Sequence, residues 1–297
     1  MNDLAAVTER IETAFPRLSP QLKQAARYVI EQPDDVALSS MRRVAAHAGV
    51  HPATMVRLAR ALSYAGYTAL REPFRQHLRG ERRYAARARE LVASGAASET
   101  TALLREIAVQ DAANIERSFA GLSAERFSSA VEALQSARLV YVVGMRKCFP
   151  VAHYFYYAYQ MFRDNAVLAG TRGGLLADDL RTIDAADAML VFSFSRYTRD
   201  TIKAAEHAAA RGARVVAITD SRVSPLAASA ACVLIAEKTS PSFFGSLVGA
   251  LSLAQALIAG LVARGGSEAI SKLGATERHL DVFDTYWENA PTREAPA

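Results

Sequence analysis

Two short segments of this chain combine hydroxyls, cations and the start of a helix in a way suited to holding an anion. Gly144-Met145-Arg146-Lys147-Cys148 closes one β-branched run. Ser193-Phe194-Ser195-Arg196-Tyr197-Thr198 closes another and leads into a helical stretch. Hydroxyls, free backbone N–H groups and a helix N-terminus together bind an anion well, and Arg146, Lys147 and Arg196 add full charges. Ser193, Ser195 and Thr198 could equally serve as caps, but two such loops with three cations favour an anion site. A second concentration lies upstream. Residues 42–89 hold Arg42, Arg43, Arg57, Arg60, Arg71, Arg75, Arg79, Arg82, Arg83, Arg87 and Arg89 against Glu72 and Glu81, a net charge of +9 on a chain whose total is +5. Segregated positive charge on a small helical unit suits a polyanion, usually duplex DNA. A solvated basic surface without a partner is the alternative.

The elements that must position these groups divide the chain in two. Its 297 residues are half apolar and suggest about two domains. Residues 1–90 carry 15 basic and 9 acidic side chains and residues 91–297 carry 20 and 21, so the basic character belongs to the front. That front reads as short helices. Ser19-Pro20 opens one and Pro33 stops it. Ser39 and Ser40 cap residues 41–48, Gly49 makes a tight turn, and His51-Pro52 opens a helix to about Tyr64. Met55, Leu58, Ala59 and Leu62 form its apolar stripe. Thr54, Arg57, Arg60 and Ala61 are expected on the opposite face. Two helices joined by a glycine turn, the second polar and basic near its start, make a helix-turn-helix. Residues 69–94 are expected to continue as one basic helix, and 94–101 (SGAASETT) as a linker.

From residue 138 the pattern changes. Segments 138–144, 188–193, 213–219 and 231–236 are short apolar runs, with 165–169 a weaker fifth. Helical stretches at 149–163, 198–211 and 243–264 separate them. Such alternation means a parallel sheet covered on both faces, whose ligands sit beyond the carboxyl ends of the strands at the switch point. Residues 239–263 carry no charge and are long enough to cross a bilayer, yet their serines, Gln255 and the surrounding strands and helices point to a helix buried in a core or a dimer interface. Two cysteines, Cys148 and Cys232, exclude a disulfide framework and fit a reducing cytoplasm, and the scattered histidines offer no metal set. The acidic start, without an apolar core, does not read as a signal peptide.

The segment AGV-x-x-ATMVRLARAL, within about residues 18–78, and SFSRYTRDTIKAAEHAAARGARVVAITDSRVSPLA, within about 125–265, resemble in that order the RpiR/MurR group of bacterial transcription regulators. The resemblance implies an all-α helix-turn-helix domain at 1–80, a basic helix and linker at 81–101, a SIS (sugar isomerase-like) parallel-sheet α/β sandwich at 102–285 and a tail at 286–297. It also implies a cytoplasmic, oligomeric repressor or activator that senses a metabolite, commonly a phosphosugar, without a cofactor. The family's phosphate-loop hydroxyls fall on Ser193, Ser195 and Thr198, and its first SIS loop on Gly144 through Cys148. The family's loop glycine is Arg196 here, a change that denies positive φ and brings a guanidinium to the pocket, either to pair with an anion or to fill the site itself. The usual first-loop serine is Cys148, whose thiol beside Arg146 and Lys147 reads either as a lowered-pKa redox sensor or as an inert buried group. His51 replaces a capping serine, which weakens the cap.

The expected regulator would place the helix from Pro52 in the major groove. Thr54, Arg57 and His51 would reach base edges, and Arg42, Arg43, Arg60 and Arg71 would contact phosphates. A homodimer or homotetramer would read an inexact palindrome, and the metabolite would act by favouring one arrangement of the heads. Two enzyme readings compete. A sugar-phosphate aldose–ketose isomerase needs a general base, with Glu237, His153 and Glu206 as candidates. A dinucleotide enzyme lacks the second glycine of GxGxxG in GMRKCF.

Overall fold

The computed structural model describes residues 4–80, 84–95, 100–171, 173–222 and 224–287. Arg82 and Arg83, linker residues 96–99 and the tail beyond 287 lie outside them. Six helices build the front: α1 (Leu4–Ala14), α2 (Pro20–Glu31), α3 (Pro33–Leu38), α4 (Met41–His47), α5 (Pro52–Ala61) and α6 (Tyr67–Gly80). They close on one apolar core that includes Ile11, Val29, Val44, Met55, Leu58, Leu70 and Phe74. Proline starts α2, α3 and α5, where its missing N–H costs nothing. Ser19 stands at the N-cap of α2 without making a side-chain cap bond. Ser40 does cap α4, accepting from the Arg43 N–H at 3.3 Å.

The basic helix expected over 69–94 is described on either side of residues 81–83, as α6 up to Gly80 and as α7 (Tyr84–Ala93). Helices α8 (Thr100–Ala120) and α9 (Ala124–Gln135) follow. Five parallel strands then form one sheet in the order β2-β1-β3-β4-β5: β1 (Val140–Gly144), β2 (Ala166–Leu168), β3 (Ala188–Phe192), β4 (Arg214–Thr219) and β5 (Cys232–Ile235). Between them run α10 (Phe149–Gln160), the short α11 (Leu176–Asp179) and α12 (Arg199–Ala210). The near-continuous apolar strand sequences are explained by burial on both faces. Val140, Val142, Leu190, Phe192, Val216 and Ile218 pack with α9, α10 and α13 (Val248–Val282). Tyr141, Val143, Met189, Val191, Val215 and Ala217 pack with α12 on the other side. The α13 helix starts later and runs further than 243–264, with a break in helical geometry at Gly266. It is the one described helix long and apolar enough to cross a membrane, and Ala250, Leu253, Ala254, Leu257 and Leu261 seat it in the core.

At the amino ends of the strands, Arg138 grips two carboxylates. Its Nε and one terminal nitrogen reach the buried Asp187 at 3.0 and 2.8 Å, and that terminal nitrogen also reaches Asp184 at 2.9 Å. Asp187 further accepts the N–H groups of Leu139 and Asp184. The planar guanidinium fork thus ties the start of β1 to the turn before β3.

Candidate functional site

The switch point falls between β1 and β3, because β2 lies on one side of β1 while β3, β4 and β5 run off on the other. The two hydroxyl- and cation-bearing loops leave these two strands. The first turns at once: a Cβ on Gly144 would stand 2.7 Å from the Ala152 Cβ and 2.8 Å from the Cys148 carbonyl, so no larger residue fits. Arg146 takes a left-handed backbone (φ 54°) to lead into a 3-10 turn at Arg146–Cys148 and then α10. Arg146 stays exposed, Lys147 is half-buried with its Nζ 5.7 Å from the centre of the Phe194 ring, and Cys148 is buried.

In the second loop, Ser193 is buried and Ser195 and Arg196 are exposed. Thr198 holds the N-cap position of α12 without a side-chain cap bond. The loop closes on a carboxylate that follows β4. Asp220 accepts from the Ser195 N–H at 3.0 Å and the Tyr197 hydroxyl at 2.9 Å, and forms an ion pair with Lys238, which follows β5. Lys238 also donates to the Ser195 hydroxyl at 3.1 Å. Burial by itself would raise the Asp220 pKa. The Lys238 charge and hydrogen bond, with the two loop donors, outweigh it and hold the carboxyl below its ordinary range. Burial raises the Tyr197 hydroxyl, and Asp220 raises it further. Lys147 is depressed, by burial first and then by Lys238.

Of the two readings of Cys148, the buried thiol is the one its surroundings match. Desolvation pushes it up to about 11, and the Lys147 charge recovers only part of that. Arg196 also departs from one of its two expected roles. It does not fill the site; its guanidinium lies 5.9 Å over the ring of Tyr84 on α7.

In the front, Gly49 (φ 65°) makes the turn between α4 and α5, and a Cβ there would meet the Gln24 side-chain nitrogen at 2.9 Å. Gln24 donates to the Ala48 carbonyl at 3.0 Å, fixing that turn to α2. His51 caps α5 after all: its Nδ1 accepts from the Ala53 N–H at 3.3 Å. Asp35 gathers Tyr28, Ser39 and His47 at 2.7, 2.6 and 3.0 Å, tying α2, α3 and α4 together. The exposed side of the unit carries Arg42, Arg43, His51, Ala53, Arg57, Arg60 and Ala61, with Pro52 half-buried at the helix start. Thr54 is 3 % exposed and faces the core, so it cannot reach a base edge. Arg71, expected on phosphates, instead donates from Nε to the Val36 carbonyl and from Nε and a terminal nitrogen to that of Ala37, capping α3.

The sequence model of the rpiR-family helix-turn-helix domain matches residues 5–80, and that of the SIS domain matches residues 133–260. The RpiR transcription factor of Sphaerobacter thermophilus, solved as its sugar isomerase domain, is 31 % identical with a TM-score of 0.56, over 59 % of this chain and 98 % of that one. The chain belongs to the rpiR family. The helix-turn-helix-type transcriptional regulator YfhH of Escherichia coli K12 is 26 % identical over 228 residues, covering 71 % of this chain and 74 % of that protein. The Vibrio vulnificus NanR protein, solved in complex with ManNAc-6P, shares the fold over 93 % of this chain and 98 % of its own, at 22 % identity and a TM-score of 0.58. This chain is an RpiR-type helix-turn-helix transcriptional regulator with a SIS domain.

The regulator's structure thus brings the loops of β1 and β3 together and adds two partners missing from the sequence reading, Asp220 and Lys238. Both follow apolar strands, so the strand-end rule applied to β4 and β5 would have found them. The candidate bases are dispersed: His153 and Glu206 are exposed on α10 and α12, and Glu237 is half-buried after β5. Two surface hollows of about 460 and 420 Å³ lie elsewhere, beside Arg126 and Arg222 and beside Asp200 and His207, and hold none of the loop hydroxyls.

Proposed function

We propose that the SIS domain of this regulator binds a small phosphorylated metabolite at the carboxyl edge of its sheet, and that a dimer or tetramer reads an inexact palindrome through α5. One observation carries the ligand half: Lys147 and Lys238 converge on the switch-point loops, where Asp220 is the carboxylate engaged by Ser195, Tyr197 and Lys238. That balance leaves positive charge for an anion, with the Ser195 hydroxyl beside it. A phosphosugar fits this chemistry, and NanR, of the same fold, was solved with one. For the DNA half, Arg57 with His51 is assigned to base edges and Arg42, Arg43 and Arg60 to phosphates.

The test is binding of the purified protein to its own upstream DNA against random duplex, with sugar phosphates added in turn. Preference for the upstream fragment, changed by one of them, supports the reading. Equal affinity for both duplexes at modest salt would overturn the DNA half. Turnover of the same compounds would favour an isomerase.

A further inference from the structure

The helix that leaves the DNA-binding unit lies on the mouth of the anion site. Tyr84 of α7 stacks on Phe244 (centroids 5.1 Å, planes 20° apart) and meets Phe243 edge-on at 6.1 Å. Its other contact is the Arg196 guanidinium from the β3 loop. One turn on, Arg87 donates to the Ser240 carbonyl at 2.8 Å. Ser240, Phe243 and Phe244 belong to the loop between β5 and α13. Asn114, fully buried on α8, holds that loop through the Thr239 carbonyl at 2.7 Å. The same loop brings Gly245 so close to Lys147 that a Cβ there would be 3.6 Å from Nζ. Arg87 is near enough for its charge to disfavour that of Lys147.

We infer that α7 is a wall of the effector site: Arg87 is a further ligand-binding residue and Tyr84 a positioning residue, so that a bound anion clamps α7 against the SIS domain. This rests on the anion reading above. Its direction follows from charge. Lys147, Lys238 and Arg87 set three cations about the mouth against the Asp220 carboxylate, which Lys238 pairs, and Cys148 is a buried neutral thiol. A phosphate drawn by Lys147 and reached by Arg87 adds an attraction across the mouth and holds α7 down. Residues 81–83 alone separate α7 from α6, so clamping α7 restricts where the DNA-binding unit can sit. The effector thereby favours one arrangement of the heads through a contact that exists only when α7 is seated.

The experiment uses the full chain with N-acetylmannosamine 6-phosphate and inorganic phosphate as probes. Binding is measured by calorimetry and seating of α7 by the rate of tryptic cleavage after Arg87 and Arg89. The wild type should bind a probe and be cleaved several-fold more slowly with it. Arg87→Gln should bind roughly tenfold more weakly, as loss of a charge-assisted contact implies. Tyr84→Ala should be cleaved faster with and without probe. Lys238→Met, which alters the site itself, should lose the probe whether or not α7 takes part. Wild-type affinity in Arg87→Gln, together with cleavage unaffected by the probe, overturns the role of α7 and leaves the anion site standing. A wild type that binds neither probe overturns both.

Discussion

Lys238→Met tests whether the charge balance at the switch point is what the structure makes it. The side chain of Asp220 is 9 % exposed and that of Lys238 30 %. Removing the lysine strands a nearly buried carboxylate with the Ser195 N–H, the Tyr197 hydroxyl and, more weakly at 3.4 Å, the Thr219 hydroxyl as donors. Breaking a fully buried pair costs about 3–5 kcal/mol. The partial exposure of Lys238 and the surviving donors reduce this to about 2–3 kcal/mol at pH 7. The pH dependence separates charge from packing. In the wild type the Asp220 pKa is depressed, so its contribution is present above the unfolded value near 3.9 and is lost as pH falls through the folded one. In the variant the folded pKa moves above the unfolded value, and the penalty disappears as acid protonates the carboxyl. Urea unfolding followed by circular dichroism should show the stability difference shrinking by about half between pH 7 and pH 4. The pair Asp220→Asn with Lys238→Met should recover much of the loss. A difference equal at both pH values would refute the argument and assign the loss to the packing of the lysine stem.

Three other outcomes are expected. Arg57→Ala should relax base preference and cost about 1–3 kcal/mol on the cognate duplex, which competition across single-base operator variants would measure; an unaltered preference removes Arg57 as a reader. Arg71→Ala should lower the stability of the front by about 1–2 kcal/mol by uncapping α3 while leaving the salt slope of DNA binding alone, and a flatter slope would return Arg71 to the phosphates. Cys148, with its pKa at about 11, should resist iodoacetamide at pH 8 in the native chain and react on unfolding, as mass spectrometry of timed samples would show; rapid native labelling would contradict its burial.

The architecture was legible because each element advertises itself locally. Apolar β-branched runs marked every strand, and proline and glycine marked the helix starts and the α4–α5 turn. The site was half legible. Loops ending β1 and β3 carry hydroxyls and cations that stand out, whereas Asp220 and Lys238 are single residues whose importance comes from strand order, which a sequence does not display. Thr54 was misplaced although a signal existed: it lies four residues before Leu58 and so falls on the same buried stripe. The arginine window was read as one surface, but charge alone does not say which way a side chain turns. Arg71 turns to the carbonyls of Val36 and Ala37, and Arg87 reaches across to that of Ser240.

The Arg138 fork has a mechanical meaning. A lever needs a fulcrum, and the end of the sheet away from the ligand loops is the end that this guanidinium bolts to Asp187 and Asp184. Under the proposed reading, a ligand at the opposite rim would pass its displacement to the loops and α7, because strands held at this end do not slide past one another.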